Sequence, residues 1–129
     1  MNVKTMITGL ALSMLLSSGT ANADWGDVYY CQMTHQVNIT LDGEMTRYKL
    51  EKFQFKLDQT KNAMVFGSTG YLQDQVFELT KDWNWPEKEA WYAQDQDQFQ
   101  TTWFEKGKFM YAQVGGARVA AITADCDKF

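Results

Sequence analysis

Two cysteines constrain this chain more than any other feature. Cys31 and Cys126 lie near the two ends of a segment whose apolar residues recur at every second position, and the sequence holds no third cysteine. Two cysteines allow a single connectivity. A bond between them would tie the first short strand of the segment to the last. A flat meander keeps those strands far apart, whereas a closed barrel makes them neighbours and removes both exposed edges. The expected fold is therefore all-β, with the disulfide closing the first strand onto the last. The alternative is a β-sandwich with an intersheet disulfide.

The N-terminal segment bears on whether that bond forms. Residues 1–23 read as a signal peptide: Lys4 supplies a positive start, and Met6 to Leu16 form a short apolar stretch. Ala21-Asn22-Ala23 then gives the small-residue cleavage pattern. The apolar stretch falls short of the roughly 20 residues that a spanning helix needs. No cysteine stands at the cleavage point to carry a lipid. The expected mature chain is residues 24–129, exported to the periplasm or outside the cell. No further stretch is apolar and long enough to span a membrane as a helix. An oxidising compartment makes the disulfide the default state of the pair.

Between the cysteines the period is two. Tyr29, Cys31, Met33, His35, Val37 and Ile39 form one set, alternating with more polar residues. Asp42-Gly43 is a tight-turn signal. The return strand, Glu44 to Leu57, places Tyr48 and Leu50 on one parity but Phe53, Phe55 and Leu57 on the other, so a β-bulge is expected at Glu51-Lys52. Further strands are read at 63–67, 75–80, 89–94, 99–104, 109–114 and 118–126, with Ser68-Thr69-Gly70, Gly107 and Gly115-Gly116 marking turns. Tyr71-Leu72 look exposed. That makes an eight-stranded antiparallel up-and-down meander closed into a small barrel. The architecture is like that of calycin-type barrels such as lipocalins and avidins. Trp25-Gly26, however, reverses the G-x-W order of the lipocalin signature, and no function is carried over from fold alone.

Antiparallel pairing through the two cysteines puts His35 opposite Ile122 and Val37 opposite Ala120, on a face read as interior. Eight strands enclose either packed side chains or one small ligand. His35 is then the leading polar candidate to orient a ligand or respond to pH, with Tyr48, Trp91, Trp103 and Tyr111 as co-lining candidates. Tyr71, Trp83 and Trp85 are candidates for surface contact with a protein partner, the last two in a loop beside Pro86. For each of these residues the plainer role is core, rim or barrel plug.

Several classes fall away. A net charge of −4 and a pI near 4.9 oppose nucleic-acid binding, which needs clustered cations on the phosphates. With His35 as the single histidine and no C-x-x-C, no metal site or cofactor is expected. Asp95, Asp97 and Glu89 lack the glycine and distal glutamate of a calcium loop. No G-x-S-x-G, H-E-x-x-H or phosphate-binding glycine loop occurs. Phe129 ends the chain as in outer-membrane barrels, but several strands are shorter than the roughly 9–11 residues such barrels need. The expectation is a non-enzymatic exported barrel that binds a small apolar or aromatic ligand or a glycan. The alternative is a protein-interaction or envelope accessory module.

Overall fold

The computed structural model describes residues 23–80 and 90–129. Its elements are β1 (Val28–Thr40), β2 (Met45–Thr46), β3 (Lys52–Asp58), β4 (Ala63–Phe66), β5 (Val76–Leu79), β6 (Trp91–Gln94), β7 (Gln100–Glu105), β8 (Lys108–Gly115) and β9 (Arg118–Lys128). All pair antiparallel in the order β2-β1-β3-β4-β5-β6-β7-β8-β9, and β9 pairs back onto β1. Eight strands thus close a barrel, and the two-residue β2 extends along the second half of β1. This is the barrel and not the sandwich. The expected signal peptide, residues 1–23, lies outside the described residues except for Ala23, which packs against the core.

The closing seam is the β1–β9 ladder, where Cys31 faces Cys126 and the two are bonded across 95 positions of sequence. Period-two alternation decides what points inward. Toward the chain's start, the inward row of Met33, Ala124, Phe109 and Phe104 runs across four neighbouring strands. Tyr29, Phe53, Phe55, Phe66 and Phe77 join it, all buried. Phe55 lies 5.1 Å from Phe104, 5.5 Å from Phe66 and 5.8 Å from Phe109, centroid to centroid. Each such ring contact adds about 0.5–1.5 kcal/mol beyond area burial. At the extreme of this end Trp25 meets Trp91 edge-on at 5.0 Å. Rings fill and plug this half.

One irregularity governs the other half. Met33 faces Ala124, but His35 faces Thr123, so Thr34 is an inserted residue in β1. A one-residue slip turns every following side chain to the opposite face. His35 is therefore outside and exposed, paired to Thr123 and not to Ile122, and Val37 faces Ala121 and not Ala120. Gln36 and Asn38 point inward in their place. The return strand changes phase along with β1. Gln32 faces Lys52 and Asn38 faces Thr46, so both strands advance the same number of steps between these pairs. The expected phase switch is present, but as an interruption of the ladder over 47–51 that divides β2 from β3, with the bulge in β1. Met33 N donates to Glu51 O at 3.0 Å where the ladder stops.

Candidate functional site

The second half of the barrel is polar. Two inward rows follow from the register. Gln36, Ile122, Tyr111 and Thr102 form one; Asn38, Ala120, Gln113 and Gln100 form the next, nearer the rim. Ala120 has a methyl group where its row neighbours carry amides, which leaves space. The tyrosine and glutamines on β7 and β8 satisfy each other: the Tyr111 hydroxyl donates to Gln100 Oε1 at 2.7 Å and also lies 3.2 Å from Gln113 Oε1. Burial pushes the Tyr111 hydroxyl's pKa well above its ordinary value, the negative charges of ionised Tyr71 and Asp95 add to this, and Arg118 opposes it.

The amides on β1 are not satisfied. Gln36 and Asn38 are only 4% and 5% exposed, and Gln36 Oε1 and Asn38 Oδ1 accept no hydrogen bond. A buried acceptor without a donor costs about 1–3 kcal/mol. Both residues line an open pocket of about 390 Å³ together with Tyr48, Lys49, Glu51, Tyr71 and Arg118. That volume lies in the roughly 300–1,000 Å³ range of small-molecule sites.

Local features of the chain build the walls. The gap over 47–51 leaves Tyr48 and Lys49 outside the ladder, and Glu51, still bonded to β1 through its carbonyl, joins them at the mouth. The loop between β4 and β5 supplies Tyr71, whose ring meets Tyr111 edge-on at 6.2 Å. Gly70 makes that loop possible: its φ is +97°, and a Cβ there would stand 2.5 Å from Lys52 O. Only glycine fits such a contact. Leu72, expected at the surface, is instead buried at 1% exposure. Arg118 opens β9 opposite Thr40 and Gly115.

The candidates from sequence separate clearly. Tyr48 and Tyr71 line the pocket, and Tyr111 lies beneath Tyr71. His35 is outside, its Nδ1 2.9 Å from Thr123 Oγ1 and 3.2 Å from Thr34 Oγ1. Trp91 belongs to the plug at the far end. Trp103 is on the outer wall beside Tyr92, with Nε1 donating to Glu105 at 3.0 Å. Trp83 and Trp85 lie outside the described residues. Sequence reasoning missed Gln36, Asn38, Lys49, Glu51 and Arg118. A signal for the first two was present in the Asp42-Gly43 turn: Thr40 and Glu44 bond across it, and carrying the return strand's phase switch over that hairpin turns Gln36 and Asn38 inward.

Among the described residues no group of three or more His, Cys, Asp or Glu could hold a metal ion. The pocket lining offers hydrogen-bonding groups, two ring faces and three charges, a set suited to binding. No protein-family model matches this chain, and no curated protein or solved structure is significantly similar to it.

Proposed function

We propose that this protein is an exported, non-enzymatic β-barrel that binds a small hydroxylated ligand, a glycan or sugar-like ring, in its open mouth. The observation that carries the reading is the pair of buried, unpartnered acceptors at Gln36 and Asn38. The bulge at Thr34 turns these amides in and leaves Ile39 out, against the hydrophobic alternation of the strand. Departures of this kind from local consistency concentrate at functional sites. Hydroxyl donors of a ligand would satisfy both acceptors, while the rings of Tyr48 and Tyr71 offer apolar faces to ring carbons. An apolar ligand would leave the acceptors unpaired, and aromatic side chains already fill the apolar half. The Cys31–Cys126 bond supports a working place in an oxidising compartment outside the cytoplasm.

The test is an NMR titration with neutral and acidic mono- and disaccharides, following the side-chain amide signals of Gln36 and Asn38. Saturable shifts that vanish in Asn38→Leu support the reading. Shifts confined to the outer wall, or none at all, would sink it.

A second reading, contact with a protein partner, has an observation of its own. Met45, Ile39, Val119 and Val114 are successive cross-strand neighbours on β2, β1, β9 and β8, and all four are exposed. Replacing Val114 and Val119 with Asp would abolish partner capture if this row is the contact. Undiminished capture would count against it.

A further inference from the structure

We infer that the ligand carries one anionic group and enters hydroxyls first, leaving the anion at the rim between Lys49 and Arg118. This rests on the binding reading above and names the ligand class. The pocket is graded with depth. Its floor carries the side-chain amides of Gln36 and Asn38, whose oxygens accept no hydrogen bond and call for donors. Its mouth presents Lys49 and Arg118 against a single carboxylate, Glu51.

The ion pairs among the described residues are Lys108–Asp125 and Lys128–Asp27, both toward the opposite end. Among the described residues neither mouth cation has a carboxylate within pairing distance. A protein of net charge −4 thus sets over one opening two cations that make no ion pair among the described residues. An arginine offers a carboxylate or phosphate a planar fork of N–H donors, and a lysine offers a point charge. A hydroxylated ring with one anionic substituent satisfies floor and rim together, whereas a neutral ring satisfies the floor alone. Glu51 opposes the anion and so limits the affinity.

The test uses three probes on the intact protein: glucose, glucuronate and glucose 6-phosphate, titrated by NMR against wild type, Arg118→Gln, Lys49→Gln and Glu51→Gln. All three positions sit at the exposed mouth, so the fold should survive each change. The anionic sugars should bind about tenfold tighter than glucose, in line with one charge-assisted contact. Arg118→Gln and Lys49→Gln should remove most of that advantage, and Glu51→Gln should increase it. The tighter of the two anionic probes identifies the group as carboxylate or phosphate.

Equal affinity for all three sugars, indifferent to Arg118→Gln, would overturn the inference and leave the binding reading standing. Anions that shift only signals at Lys49 and Arg118, and not the amides of Gln36 and Asn38, would overturn it as surface attraction. Failure of all three sugars to move the Gln36 and Asn38 signals would overturn both.

Discussion

The two ends of this barrel are built from the same strands and are stabilised in different ways. Below Met33 the interior is phenylalanine packed on phenylalanine, sealed by Trp25 against Trp91. Above Thr34 it is glutamine, asparagine and tyrosine around an open pocket. One inserted residue separates the two regimes. The closed end gains stability from burial and ring contacts. The open end keeps two acceptors unpaired at a cost of about 1–3 kcal/mol each. A fold selected for stability alone would place Val37 and Ile39 inside, as the alternation of β1 invites. The contrast teaches that the filled end supports the unfilled one.

If that is correct, the largest losses should come from the closed end. Reduction of the disulfide, or Cys31→Ser with Cys126→Ser, should lower unfolding stability by about 4–5 kcal/mol on the chain-entropy account of so long a loop. A denaturant melt with and without reductant reads this directly, and coincident curves would mean that the seam does not depend on the bond. Phe55→Ala should cost about 3–5 kcal/mol, since Phe55 is fully buried among four other rings. Tyr48→Ala, at the half-exposed mouth, should cost under about 0.5 kcal/mol. Similar losses at the two positions would erase the distinction between the ends.

Tyrosine titration probes the same contrast. Burial, and then the charge of Asp27, push Tyr29 at the closed end up to about 12, and burial raises Tyr111 beneath the pocket as well. Both groups stay protonated in the fold at pH values where the unfolded chain ionises. Their contribution is complete below pH 10, the ordinary tyrosine value. It declines as pH rises from 10 toward the folded values, because the unfolded state then releases protons that the folded state retains. Denaturant midpoints should fall across that interval, and Tyr29→Phe should flatten the fall. An unchanged pH slope in the variant would place the alkaline loss elsewhere.

Much of this architecture was legible in the sequence, for a physical reason. Period-two alternation and the Gly-containing turns mark strands wherever one face is apolar, and the terminal cysteines demand closure. The site was less legible because it breaks the rule that exposed the rest. His35 was expected inside because it continues the parity of Tyr29, Cys31 and Met33, and a bulge has no side-chain signature of its own. The counter-evidence lay on the neighbouring strand, where Tyr48 and Phe53 are on opposite parities. Antiparallel partners share a phase, so a switch in one strand requires a switch in the other. Lys49, Glu51 and Arg118 could not be gathered from spacing, since the ladder gap and the closing seam bring them together from distant parts of the chain.

One expected effect has the opposite sign. Asn38→Leu replaces a buried amide, whose oxygen has no donor, with an apolar group of similar size. Substituting an unsatisfied polar group in this way is neutral or stabilising, here by about 1 kcal/mol at most. Thermal melts of Gln36→Leu and Asn38→Leu should therefore match or exceed wild type, while titration with sugars loses its shifts. A pair of residues that lowers stability and supports binding is a trade between stability and function. Lost stability on either substitution would show that the amides already satisfy one another within the fold. The pocket floor would then be structural, and the two ends of the barrel would differ in composition but not in purpose.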